Sequence, residues 1–188
     1  MTNIYKEILG DEASQYIPII EKILSECGSY NYEFLNEEDF KDLIRRDVAE
    51  SQAQYIKELL YRSHFVSMSA IARNFQWLEG MKCAYEAGLY LPFAASMRCF
   101  LESTADSYFS LQSLCTTLSK NIGTINDTIN KCTTQFGIFT ELENFLIHYT
   151  HARRLEKTEI APDSHEAKTA AKYIRDLEEK SSAQVQRL

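Results

Sequence analysis

The sequence has few of the residues that interrupt helices. Its 188 residues include only 6 glycines and 3 prolines, too few for the many tight turns of a β-sandwich or barrel. It also lacks an uncharged apolar stretch of about 18 residues, the minimum for a transmembrane helix. The first residues show no basic segment followed by an apolar one, so no signal peptide is predicted. These absences favour long helices in a cytoplasmic protein that does not contact membranes.

Paired cysteines and a basic surface are missing as well. The cysteines are Cys27, Cys83, Cys99, Cys115 and Cys132. They form no C-x-x-C motif, their number is odd, and most lie in apolar helical stretches, so we predict reduced, buried thiols. The net charge is −7, and residues 1–60 alone carry 13 acidic and 6 basic side chains. A uniform basic face for nucleic acid is therefore not expected.

Standard enzyme motifs are also absent. The chain contains no P-loop, no G-x-G-x-x-G and no G-x-S-x-G, the motifs that place phosphates, dinucleotides and a nucleophilic serine. No H-E-x-x-H motif supplies metal ligands. The sequence therefore predicts neither a cofactor nor a metal.

What the sequence does contain is apolar residues at helical spacing. Apolar residues make up 45% of the chain and aromatic residues 12%, and their spacing predicts an all-α bundle of five to seven helices. One helix is expected over 12–27, with Pro18 in its first turn. Asn36 is expected to cap the next. The apolar pattern then runs to Gly80, as one very long helix or as two with a break near 63–69.

The second half has clearer boundaries. Residues 88–92 separate this region from a central helix that runs to about Lys120 and is ended by Asn121 and Gly123. Residues 124–137 are weakly periodic, 138–157 are strongly periodic, and a last helix follows a loop. We predict an N-terminal extension over 1–35 and a bundle domain over 36–188. The apolar stripe of the last helix continues to Leu188, which favours a chain that extends further or a helix that ends at a frayed terminus.

Arg98 and Glu102 are the first candidate site. They lie four residues apart in an otherwise apolar helix, so they share one face of it. Charges in a buried helix need partners or a function. We expect a mostly buried pair with Asn144 or His148 as a neighbour. Two interpretations remain open: an arginine placed to bind phosphate or carboxylate, or a structural pair within the helix.

The later helical region adds two further candidates. His148 and His151 are three residues apart and share a face, but a metal site would need a third ligand. Arg153 and Arg154, with Lys168, are candidates for an anion-binding site where the last helix begins. An ordinary solvated face with balancing glutamates is the other interpretation of these charges.

The chain also resembles a known superfamily. The run 85–102, YEAGLYLPFAASMRCFLE, and the stretch 143–169 resemble bacterial all-helical proteins of the HEPN superfamily, which include abortive-infection and phage-defence proteins. The resemblance covers about residues 55–188. It implies a dimer and, for many members, metal-independent RNA cleavage by an arginine and a histidine separated by four to six residues. This chain departs from that motif, since none of its arginines has a histidine at that distance.

Two functions follow as hypotheses. The first is an interaction or oligomerisation subunit of a bacterial defence or toxin-like system, either a homodimer or bound to a protein partner. The many apolar side chains on all faces of 65–118 favour it, because exposed apolar patches usually mark interfaces. The alternative is a HEPN-like endoribonuclease that acts on RNA as a dimer, with Arg98, Glu102 and His148 as its catalytic residues.

Overall fold

The protein is all-α. A computed structural model describes residues 4–27, 30–132, 137–143, 146, 172, 175 and 179, and these contain helices and no strand. Six helices have both ends in these ranges: α1 (Ile4–Ser14), α2 (Ile17–Cys27), α3 (Glu37–Arg46), α4 (Val48–Glu86), α5 (Tyr90–Lys120) and α6 (Ile122–Ile129). Residues 140–143 and 146 are also helical. The prediction of an all-α bundle of five to seven helices is confirmed.

Local signals in the sequence set several helix starts. The side-chain oxygen of Asn36 accepts a hydrogen bond from the Asp39 backbone N–H at 2.8 Å, which caps α3 as predicted. Pro18 is the second residue of α2 and Pro92 the third residue of α5. Proline is tolerated in the first turn because its missing N–H would have no partner within the helix.

The long apolar region breaks at Asp47, so it is neither the one continuous helix nor the two helices divided near 63–69 that were predicted as alternatives. The Asp47 backbone is extended, with φ −150° and ψ 101°, and its carboxylate accepts a hydrogen bond from the Glu50 N–H at 3.0 Å. Asp47 therefore ends α3 and caps α4. The helix continues unbroken through 63–69, where Ser63 and Ser67 donate their hydroxyls to carbonyls one turn earlier, each at 2.8 Å, an arrangement that helices accommodate.

The boundaries of α5 agree with the sequence, with one correction. Gly88 between α4 and α5 has a φ of +66°, a left-handed conformation that favours glycine. The helix ends at Lys120, and Asn121 donates its side-chain amide to the Thr117 carbonyl at 2.8 Å. Gly123 was expected to help end α5, but it lies inside α6, so Asn121 alone separates the two helices.

The chain divides into two compact units. The first comprises Met1–Tyr30, Met68–Phe109 and Ala167–Leu188, and the second comprises Asn31–Ser67 and Ser110–Glu166. Two of the boundaries between the units lie inside helices: 67/68 in α4 and 109/110 in α5. The predicted division into an extension over 1–35 and a bundle over 36–188 stays a prediction.

The first unit packs α1 and α2 against parts of α4 and α5. Its buried cluster contains Tyr5, Ile17, Leu78 and Met81. A side chain at Gly80 of α4 would place its Cβ 3.3 Å from the Ser96 Oγ of α5, so glycine allows close packing of these helices.

The second unit has its own core. Leu59 and Val66 of α4 pack with Leu114 of α5 and with Leu142 and Leu146 of the later helical region. Leu142 and Leu146 belong to the predicted stripe over 138–157, and both are buried. The stripe beyond Leu146 lies outside the described residues, and of the predicted last helix only residues 172, 175 and 179 are described, all of them helical.

Two further predictions concern the cysteines and the membrane. All five cysteines are free thiols, but none is buried: Cys83, Cys115 and Cys132 are exposed and the other two are half-buried. The prediction of buried thiols is wrong because these helices have more apolar faces than the two cores cover. In the ranges that the structure describes, no helix is long and apolar enough to cross a membrane.

We expect Leu59→Ala to reduce the free energy of unfolding by about 2–5 kcal/mol, the range for removing a buried leucine side chain. Leu59 is 1% exposed and contacts the second core. The matched control is Leu89→Ala, since Leu89 is 51% exposed and this variant should change little. Urea unfolding measures both, and equal losses would contradict the assignment of Leu59 to the core.

Candidate functional site

Arg98 and Glu102 pair as predicted, but the pair is not buried. The Arg98 Nε donates to a Glu102 carboxylate oxygen at 2.7 Å. The arginine side chain is 78% exposed and the glutamate side chain 36% exposed. The hydrogen bond to Glu102 raises the pKa of the Arg98 guanidinium above its ordinary value. The prediction of a mostly buried pair is wrong because this stripe of α5 faces solvent.

Asn144, His148 and the anion-site candidates Arg153, Arg154 and Lys168 lie outside the described residues. Their roles stay predictions. Elsewhere in the chain, the described residues contain no group of three or more His, Cys, Asp or Glu side chains that could hold a metal ion.

Glu58 of α4 places a carboxylate inside the second unit, and this residue is only 8% exposed. The carboxylate accepts hydrogen bonds from the Leu35 backbone N–H and from the Gln54 side-chain amide, each at 3.0 Å. Arg62, one turn later, lies 3.9 Å from its second oxygen. A buried charge needs this number of partners to offset its desolvation.

Arg62 connects Glu58 to a second carboxylate, that of Glu143 in the helical residues 140–143. Its guanidinium donates to Glu143 at 3.1 Å. The Tyr55 hydroxyl also donates to Glu143, at 3.2 Å, and accepts from the Phe139 backbone N–H at 3.1 Å. Burial raises the pKa of the Tyr55 phenol, and the adjacent Glu143 charge acts in the same direction. Tyr55 is therefore a neutral donor at physiological pH.

An aromatic cluster accompanies these charges. The segment before α3 places Tyr32 over α4, where its hydroxyl lies 2.7 Å from the His64 Nδ1. The Tyr32 ring also meets Phe65 edge to face at a centroid distance of 5.7 Å. Phe34 meets Tyr61 in the same way at 6.3 Å, and the Arg62 guanidinium lies 5.4 Å from the Phe34 ring centre. Such aromatic and cation–π contacts add to the burial of the rings.

Together these groups fasten the segment 32–35 and the region 139–143 to α4. The charge of Arg62 is shared between Glu58 and Glu143, and each carboxylate also accepts from another described group. The network is therefore suited to holding chain segments together, and its charges are directed at one another. The sequence contained a signal for this network, since Glu58 and Arg62 have the same i,i+4 spacing as Arg98 and Glu102. Spacing alone does not tell which of two such pairs is buried.

The most exposed apolar surface of the first unit lies on α5. Tyr90 and Leu91 are 87% and 85% exposed, and Met97, Leu101 and Tyr108 are each 43% exposed. Tyr90, Ala94, Met97, Leu101, Thr104 and Tyr108 are all exposed and lie on one side of the helix; we call these six residues the α5 face. Their spacing alternates between four and three residues, which is the pattern of helices that pack side by side.

Comparison with protein-family models, with curated proteins and with solved structures gives no match to this chain. The resemblance to HEPN proteins is therefore unsupported by these comparisons and stays a prediction.

We expect Glu143→Ala to lower the free energy of unfolding by about 1–2 kcal/mol, because it leaves Arg62 and Tyr55 without their shared acceptor. The expected loss of unfolding free energy is smaller than for a fully buried carboxylate, because the Glu143 side chain is 28% exposed. Arg98→Met is the comparison, and its effect should lie within the error of urea unfolding because the arginine is exposed. An Arg98→Met loss as large as that of Glu143→Ala would place Arg98 in a packed site.

Proposed function

We propose that this protein is an interaction subunit that associates with a second copy of itself through the α5 face. The observation that carries the proposal is the exposure of large apolar side chains on this face, led by Tyr90 at 87%. Contiguous exposed apolar surface is a feature of protein interfaces, and removing it from water favours association.

The order of side chains on the α5 face favours a second copy as the partner. The 4-3-4-3-4 spacing reads the same in both directions, so two antiparallel helices related by a twofold axis present the same pattern to each other. Met97 is then level with Leu101 of the other copy, and Tyr90 with Tyr108. The small residues Ala94 and Thr104 are also level, which permits close approach of the two helices.

The wider setting of this proposal comes from other features. A defence or toxin-like system is supported by the resemblance to HEPN proteins alone. A cytoplasmic location is supported by five free thiols, since thiols stay reduced in that compartment. A different protein partner would use the same face, and a wild-type protein that is monomeric in the experiment below would leave that alternative.

We expect the protein to be a dimer at micromolar concentration and Met97→Glu/Leu101→Glu to be a monomer, because each of the two chains would have to bury two charges at the centre of the interface. Light scattering coupled to size-exclusion chromatography measures both. The control is Ala95→Glu, since Ala95 is exposed on α5 but outside the α5 face; this variant should remain dimeric. A monomeric wild-type protein, or a dimer that both variants preserve, would refute self-association through this face.

The second candidate is the HEPN-like, metal-independent endoribonuclease with Arg98, Glu102 and His148 in its active site. The exposure of Arg98 favours it, because a guanidinium open to solvent can contact an RNA phosphate. We expect RNA cleavage in the presence of EDTA that is lost in Arg98→Ala. Arg45→Ala, another exposed arginine paired within its helix, is the control and should retain the activity. Lack of cleavage by the wild-type dimer across single-stranded and structured RNAs would count against the enzyme.

A further inference from the structure

The charged side chains beside the α5 face lie on one edge of it. The sequence of 90–108 contains three charged residues, Arg98, Glu102 and Asp106. Arg98 and Glu102 each directly follow one of the two central residues of the α5 face, so both lie about 100° around the helix on the same side of it. Asp106 lies on the far side of the helix, where it pairs with Arg73 of α4 at 3.4 Å. A helix seated on the α5 face therefore meets Arg98 and Glu102 along one edge and no charge of α5 along the other.

Both side chains are accessible to a partner. The Arg98 side chain is 78% exposed and the Glu102 side chain 36% exposed. Their bond uses the Arg98 Nε, and in the described part of the chain Arg98 has no second ion-pair partner. A guanidinium has five N–H donors and can bond two carboxylates at once, as Arg62 does with Glu58 and Glu143 in the second unit. Arg98 therefore has donors left for a second carboxylate.

The twofold arrangement of two α5 faces brings these charges of the two copies together. The midpoint of the face is residue 99, so positions equally far before and after it are level in the two copies. Arg98 of one copy and Glu102 of the other are then two positions apart along the helix, which is about 3 Å. A twofold axis perpendicular to two antiparallel helices keeps like edges on the same side of the interface. Each Arg98 therefore lies beside Glu102 of its own copy and Glu102 of the other.

We infer that Arg98 and Glu102 of the two copies form a network of four charges at this edge, and that the network selects the antiparallel dimer. The inference rests on the proposed self-association through the α5 face. The two arginines approach each other near the axis, but each has two carboxylates to bond, and the network has no net charge. In a parallel pair the charged edges lie on opposite sides of the interface, so the network does not form. Charge pairs at the edge of a helix interface fix orientation more than they raise affinity.

Charge reversal tests the network. Arg98→Glu makes all four charges negative and Glu102→Arg makes all four positive, so each variant should weaken the dimer about tenfold. Repulsion within one helix is present in the monomer as well, so it does not contribute to this change. Arg98→Glu/Glu102→Arg restores the pattern with both signs exchanged, and its dimer Kd should lie within about twofold of the wild-type value. Sedimentation equilibrium on the full chain measures each Kd.

Lys22→Glu is the matched control. Lys22 and Glu26 are also an exposed pair with i,i+4 spacing, on α2 of the same unit. The substitution changes the net charge by as much as Arg98→Glu does, but it lies outside the α5 face, so the dimer Kd should equal that of the wild type. A weakening as large as that of Arg98→Glu would assign the effect to net charge and overturn the inference.

Mixing the two single variants tests the orientation. In the heterodimer a negative edge faces a positive edge, so an equimolar mixture at concentrations where the chains are dimeric should contain about nine-tenths heterodimer. Helices whose charged edges do not meet give a statistical mixture, with about half heterodimer. Native mass spectrometry separates the three dimers by mass.

The outcomes distinguish the network from the self-association on which it rests. A statistical mixture, a Kd that neither single variant changes, or a double variant as weak as the single ones overturns the network. Self-association through the α5 face stands in those cases if Met97→Glu/Leu101→Glu still dissociates the wild-type dimer. A monomeric wild-type protein instead refutes association through the α5 face, and the network with it.

Discussion

Helix α4 has to bury apolar side chains along much of its 39-residue length, because an isolated helix gains too little from its backbone hydrogen bonds to be stable. It does so by contributing Leu59 and Val66 to one buried cluster and Leu78 and Met81 to the other. Each compact unit therefore takes part of its core from its own portion of α4. The helix contains no proline, and Gly80 lies where α5 packs closely against it.

The contrast between two ion pairs explains how charge is distributed in this protein. Glu58 and Arg62 are held in a network with Gln54, Glu143 and Tyr55, and they join chain segments that are far apart in sequence. Arg98 and Glu102 bond only within α5 in the contacts described above, and their charges face water. Removing one member of the first arrangement should destabilise the fold, since a buried charge without its partner is costly. The second keeps an apolar helix surface hydrated without contributing much to stability.

The functional interpretation follows from where α5 is left uncovered. A helix with apolar residues on most of its faces has to place some of them outside the core, and α5 places Tyr90, Met97 and Leu101 on one exposed side. The same crowding leaves a cavity beside α5, since bulky side chains of four helices meet there without filling the space. The exposed α5 face and the cavity are two consequences of one excess of apolar surface. A single unit of this size cannot enclose all of it.

The sequence by itself determined the all-α class, the cap at Asn36, the turn at Gly88 and the course of α5, because these depend on local spacing, on glycine conformation and on hydrogen bonds within a few residues. The break at Asp47 was also encoded locally, in an aspartate three residues before Glu50, the arrangement of a helix start. The tertiary structure alone decided which i,i+4 pair is buried and which cysteines are exposed. Those properties depend on which face of each helix meets another element, and helical spacing shows that side chains share a face without showing what that face contacts.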